Sequence, residues 1–301
     1  MSGIPFVRDL DFEYGVCQPV APKLRRVIAR NPGLFTFHGT GTYIVGEGEV
    51  AIIDPGPLID EHIEALLSAV AGEIVTHIFI THTHSDHSPA ATPIKKAVNA
   101  PTFGFGQHQP GTYWVDSDLP PSKGIDADFL PDYSLKDGET IEAAGFVFEA
   151  VHTPGHIHNH LCFSVKELDI FFSGDHVMGW STTIVAPPDG DMRDYMDSLN
   201  KVLARNDRTY WPTHGPALTE AKKYVRALLT HRMEREVAIA DALSRGSETI
   251  SELVSLLYRN VPKQLHSAAG STVLSHLVHM IQTGRVQCEG LPRENSRFGL
   301  S

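Results

Sequence analysis

Residues 82–87 read His82-x-His84-x-Asp86-His87, a run of imidazoles and a carboxylate at short, regular intervals. Nitrogen and oxygen donors of this kind suit a borderline cation such as zinc. An apolar strand predicted over Ile74–Ile80 runs straight into the motif. Side chains on a strand repeat every two positions, so a strand ending at residue 81 would send His82 and His84 to one side, where they can share an ion. A turn at Ser85 would aim Asp86 and His87 at a second ion. Three further donors stand just beyond strand-like runs: His152 after Phe146–Val151, Asp175 after Phe171-Phe172-Ser173-Gly174, and His214 after Tyr210-Trp211-Pro212-Thr213. Loops at one edge of a sheet can converge, and recurrence in four places carries the inference that these do.

Other residues with chemical potential are read differently. Asp54, in Ile53-Asp54-Pro55-Gly56, is expected to be a turn carboxylate. His156 and His158 follow His152 at even spacing; His156 is expected to be structural. His160, Trp114 and Trp180 are carried as substrate-site candidates, while His77 is expected to lie on a sheet face. His108 and Tyr113 are expected to pack a long loop. Cys17, Cys162 and Cys288 are far apart and form no C-x-x-C pair, which is the pattern of reduced thiols. No Ser or Cys is arranged with a base and an orienting group as a nucleophile.

The elements that must position these residues are short. Strands are predicted at Leu34–His38, Thr42–Val45, Val50–Ile53, Ile74–Ile80, Glu139–Glu142, Phe146–Val151, Leu161–Val165, Ile170–Ser173 and Arg208–Trp211. Helices are predicted over 60–71, 90–98 and 194–203. Residues 101–138 form a loop with five prolines and several aromatics, the kind of segment that is usually functional or disordered. After Pro212 the pattern turns helical, over about 217–244, 248–259 and 267–283, with a short strand at Arg285–Cys288. This places a domain boundary near 215–220, giving 1–216 and 217–301.

The order T-H-x-H-x-D-H, H-T-P-G-H, S-G-D and P-T-H-G-P resembles the metallo-β-lactamase superfamily over residues 34–216. The resemblance implies an α/β (α+β) fold, a four-layer αββα sandwich. It also implies two zinc ions per chain, with iron or manganese as alternatives. Site-one ligands would be His82, His84 and His152; site-two ligands would be Asp86, His87 and His214; Asp175 would bridge. No ligand position is cysteine, which is closer to the glyoxalase II-like and RNA-processing branches. Asp194-Tyr195-Met196-Asp197-Ser198-Leu199 and the helical tail resemble the β-lactamase-like protein 2 group, in which a winged-helix-like domain follows the hydrolase core.

The implied chemistry is hydrolysis by a hydroxide bridging the two metals, with Asp86 as the catalytic residue that orients it. Charge narrows the substrate. The chain carries 25 Lys+Arg against 36 Asp+Glu, a net of −11. Residues 216–301 hold 11 basic and 8 acidic residues, a net of +3, which leaves 14 and 28, a net of −14, for residues 1–215. An acidic core favours a small ester, thioester or lactone over a long polyanion. A metal-dependent endoribonuclease and a weak β-lactamase are the competing readings. The segment Ser267–Thr283 offers no Lys or Arg for phosphates, so nucleic acid is not favoured. Its apolar stripe Val273, Leu274, Leu277, Val278 and Ile281 is expected to pack on the core or on a second subunit of a homodimer. The first residues show no secretory pattern and no apolar run approaches 18 residues, so no membrane is expected and the cytoplasm is the expected location.

Overall fold

The computed structural model describes residues 3–117 and 119–301. Its first sheet has seven strands in the order β1 (Gln18–Ala21), β2 (Leu24–Ile28), β3 (Gly41–Glu47), β4 (Glu49–Ile53), β5 (Ile74–Phe79), β6 (Thr102–Gly104) and β7 (Tyr133–Ser134). The second has five, in the spatial order β12 (Thr209–Pro212), β11 (Ile170–Gly174), β10 (Leu161–Val165), β9 (Phe146–His152) and β8 (Thr140–Ala143). Helices α1 (Asp60–Ala69) and α2 (Ala91–Val98) belong to the first sheet's outer side, and α3 (Met192–Ala204) and the start of α4 (Ala221–Ser244) to the second's.

The layering follows from the two-residue repeat of the strands. On β3 and β4, Tyr43, Val45, Ala51 and Ile53 enter the layer between the sheets, where they meet Phe148, Leu161, Phe163 and Phe172. The alternate residues Ile44, Val50 and Ile52 face Leu66 of α1 and Ile94 of α2. On the second sheet, Cys162, Phe171 and Tyr210 point outward to Tyr195 and Leu199 of α3 and to Tyr224 and Leu228 of α4. Strands apolar on both faces are what a buried four-layer sandwich requires.

The C-terminal region has its own apolar cluster, built by the end of α4, α5 (Ile250–Leu257) and α6 (His266–Gln282), with β13 (Val286–Cys288) and β14 (Phe298–Leu300) as a two-stranded sheet. The stripe on α6 is inside it: Val273, Leu274, Leu277 and Val278 are buried and Ile281 partly so. Trp114, from the long loop, is buried in the same cluster, so the region packs on the core as its apolar face requires. Helix α4 serves both cores, with Val225 and Leu228 in one and Ile239 and Leu243 in the other.

Three expectations are corrected here. Leu34–His38 is a set of turns with Leu34 and Phe35 exposed, not a strand. The edge hairpin β1–β2 was not anticipated, and the loop 101–138 contributes β6 and β7. Strand β5 stops at Phe79, so His82 and His84 sit in the following loop rather than on a strand end.

Candidate metal centre

Histidine and aspartate side chains from four loops meet at one edge of the sandwich. Three groups have ligand atoms within 4.8 Å of one another: His82, His84 and His156; His82, His87 and Asp175; and Asp86, His87 and His214. The first and last are two adjacent triads, and Asp175 stands between them. Its Oδ2 faces His156 Nε2 at 3.7 Å, and its Oδ1 faces His87 Nε2 at 3.7 Å and His214 Nε2 at 3.6 Å. Asp175 thus turns one carboxylate oxygen toward each triad.

Four of the imidazoles are held by their other nitrogen. His82 Nδ1 lies 3.0 Å from Thr81 Oγ1, His87 Nδ1 2.9 Å from Asp54 Oδ2, His156 Nδ1 2.7 Å from the Ile184 carbonyl and His214 Nδ1 3.1 Å from the Gly39 carbonyl. These bonds fix the rings so that every Nε2 turns into the cluster. His84 presents Nδ1, 2.8 Å from His82 Nε2 and 3.0 Å from His156 Nε2.

The donor atoms fit a cation. His87 Nε2, His214 Nε2 and Asp175 Oδ1 are buried without a hydrogen-bond partner. Burial of such groups is costly unless something satisfies them. Burial, and then neighbouring imidazoles, depress His84 to about 3 and hold His82 well below the ordinary range; burial also lowers His156. All three therefore offer lone pairs at neutral pH. Burial pulls His87 down too, but the carboxylates of Asp86, Asp54 and Asp175 outweigh it and hold its pKa well above the usual value. His214 is raised in the same way, by Asp175 and Asp86 against burial. For Asp86 and Asp175 burial pushes upward, and the imidazoles of His87 and His214 overcome it and keep both ionised. A cation would take over the role of those imidazole protons.

The structure brings six of the seven expected ligand residues together and leaves one out. His152 is the last residue of β9 and still pairs with Leu161. The pleat sends it to the same side as Ala150, where its ring stacks on Phe105 at 4.1 Å and its Nε2 bonds the His158 carbonyl at 2.8 Å. His156, expected to be structural, takes the place foreseen for His152, because the turn after the strand reaches the cluster. Gly155 allows that turn. It has φ +132°, and a Cβ there would lie 2.3 Å from Tyr195 Cα.

Asp54 is more than a turn carboxylate. Fully buried after β4, it accepts from Thr81 N and from Thr81 Oγ1, both at 2.8 Å, from Thr213 Oγ1 at 2.7 Å, and from His87. It thus ties the loops of His82, His87 and His214 to one anion. The signal in the sequence was an Asp-Pro-Gly directly after an apolar strand. His160 is corrected as a substrate candidate: it is completely buried, with Nδ1 on Thr153 Oγ1 and Nε2 accepting from Asp175 N. Trp114 is withdrawn for the same reason, since it lies in the C-terminal cluster. Trp180 stays near the site, stacked on Phe37 and against Gly215, the residue after His214. His77 stacks on Phe79, and His108 faces Asp189 at 2.9 Å.

Residues 36–214, more than half the chain, match the Metallo-beta-lactamase superfamily model, and residues 249–293 match the Beta-lactamase associated winged helix domain. The chain belongs to the metallo-β-lactamase superfamily. It is a metal-dependent hydrolase of that superfamily with a C-terminal winged helix domain. Among relatives, it is 30% identical over 264 residues to an "Atrochrysone carboxyl ACP thioesterase" of Aspergillus chevalieri, covering 84% of this chain and 78% of the relative. It is 28% identical over 264 residues to a "Lactamase-like protein" of Pestalotiopsis fici, covering 84% and 77%. A beta-lactamase domain protein from Burkholderia ambifaria shares the fold with a TM-score of 0.79 at 18% identity, over 97% of this chain and 96% of that one. A metallo-beta-lactamase family protein from Thermus thermophilus does so with a TM-score of 0.75 at 20% identity, over 94% and 100%.

Proposed function

We propose that this superfamily member is a two-metal hydrolase, most suited to zinc, acting on a thioester. The observation that carries the reading is Asp175 offering one carboxylate oxygen to each of two adjacent ligand triads. His82, His84 and His156 would hold one ion and Asp86, His87 and His214 the other, with Asp175 shared. A pair of such ions, when bound, supplies a nucleophile at neutral pH and polarises the carbonyl under attack.

The chain's own residues do the rest. Asp54 and the carbonyls of Gly39 and Ile184 hold the imidazoles in register, so the donor set pays little reorganisation at each turnover. Asp86 is the most exposed of the ligand carboxylates, with 24% of its side chain open to solvent. It lies 3.1 Å from His214 Nε2 and is placed to orient the attacking water and accept its proton. Phe37 and Trp180 form an apolar wall beside His214 that would exclude water from one side.

The substrate class is supported by the thioesterase relatives, and it narrows the ester, thioester and lactone reading. RNA is disfavoured by the burial of α6, whose apolar positions lie inside the C-terminal cluster. The test is to load purified protein with zinc, measure bound metal, and assay acyl thioesters beside lactones, β-lactams and single-stranded RNA. Two ions per chain with thioester cleavage is expected. One ion, or cleavage of RNA alone, would overturn the reading.

A further inference from the structure

The residue that links the winged helix region to the ligand loops is an arginine. Arg232 lies midway along α4 and is 2% exposed. Among the described residues no ion pair reaches it within 4.0 Å. Its Nη2 donates instead to the carbonyl of Thr183, and its guanidinium carbon sits 5.1 Å from the centre of the Tyr195 ring.

Thr183 and Ile184 are the point where both halves of the donor set are controlled. The Thr183 hydroxyl lies 2.7 Å from the Asp175 carbonyl and 3.0 Å from the His176 carbonyl, so it pins the loop that carries the shared carboxylate. The next carbonyl, that of Ile184, accepts from His156 Nδ1 and turns His156 Nε2 into the first triad. Tyr195, beneath the guanidinium, donates its own hydroxyl to the His176 carbonyl at 3.0 Å. A buried cation on the Thr183 carbonyl therefore fixes the dipeptide from which His156 and Asp175 are both aimed.

We propose that Arg232 is a positioning residue for the metal centre, acting from the C-terminal part of the chain through Thr183 and Ile184. The proposal rests on the two-metal reading above. It gives α4 a part in the site beyond joining two apolar cores: the helix carries the strut that keeps the first triad and the bridge in register. Hydrogen-bonding partners behind metal ligands are worth roughly 10–100-fold in metal affinity. A planar guanidinium can donate in its plane to the Thr183 carbonyl while its face lies against the Tyr195 ring, whereas an ammonium is a compact, strongly hydrated point charge.

The experiment measures zinc affinity of the full chain by competition with a chromophoric chelator, with no substrate present. Arg232→Met is expected to weaken zinc binding by about tenfold or more, and Arg232→Lys by less. Thr183→Val removes the hydroxyl and keeps the shape; combined with Arg232→Lys it should cost less than the two effects added, because both act on one dipeptide. Leu243→Ala, in the C-terminal cluster, serves as the control for simple destabilisation: its Tm should fall with zinc affinity unchanged. If Arg232→Met does not fold, the Lys variant and the cycle with Thr183→Val decide the matter alone. Zinc affinity within about threefold of the parent in the Arg232 variants, with a Tm drop like that of Leu243→Ala, would overturn the proposal. A parent chain that binds no zinc would instead overturn the metal reading, and this proposal with it.

Discussion

Five histidines converge at the loop edge of the two sheets, while His276 and His279 meet at Glu236 between α4 and α6. In the first cluster His87 Nε2 and His214 Nε2 are buried without a hydrogen-bond partner, and the carboxylates of Asp86 and Asp175 face them. In the second, the one carboxylate is already matched. Glu236 Oε1 lies 3.2 Å from His276 Nδ1 and 2.7 Å from His279 Nδ1, and its Oε2 accepts from Arg285. Among the described residues no group of three ligand atoms converges there. The two clusters share residue types and burial, so neither histidine content nor burial identifies a metal centre. What separates them is convergence: ligand atoms of three residues at a time come within 4.8 Å of one another in the first, whereas the second is one carboxylate matched by two imidazoles and a guanidinium.

The comparison can be broken most severely at Asp175. Asp175→Ala should remove the bridge and lower kcat/KM toward a thioester on the order of 10²–10³-fold or more, with bound zinc falling below two per chain. Normal kinetics in that variant would mean the two triads work independently. Asp54→Asn is nearly isosteric but leaves four donors on a neutral amide. Zinc affinity should fall roughly 10–100-fold, read by chelator competition. An unchanged affinity would reduce Asp54 to a structural role.

The third test is made on the other cluster. Glu236→Gln strands His276, His279 and Arg285 without their anion and should cost about 3 kcal/mol in denaturant unfolding. Zinc content should stay the same, and a loss of metal would show that the clusters are not separate.

Acid should act next. Burial depresses His62 and His276 to about 4 and His231 to about 3, all below the ordinary value of 6.5. These groups bind fewer protons folded than unfolded, so their stabilisation is present above about pH 6.5 and is lost as pH falls through their folded values. The Tm should therefore drop between pH 7 and pH 5; a flat Tm would show that these rings are protonated in the fold. The smallest effect is expected from His152→Ala, which should keep two zinc ions and change kcat/KM by less than about threefold. That variant sharpens the contrast between a histidine on a strand and one in a turn four residues on.

The sequence by itself determined the chemistry and most of the frame. The run from His82 to His87, with Asp175 and His214, named donors that do meet, because each follows an apolar strand whose end lies at one sheet edge. Near-continuous apolar runs on β3, β4, β10 and β11 dictated strands buried on both faces, and the stripe on α6 dictated a packed rather than a solvated helix. Tertiary structure alone decided between His152 and His156. Both lie in the same His-Thr-Pro-Gly-His stretch, and only the pleat of β9 and the turn through Gly155 show which ring reaches the cluster. It also decided Asp54 and Arg232, which are distant in sequence from the groups they hold. A hydrogen bond between Asp54 and Thr213, or Arg232 and Thr183, depends on how loops and a helix pack, and local sequence pattern carries no record of such a contact.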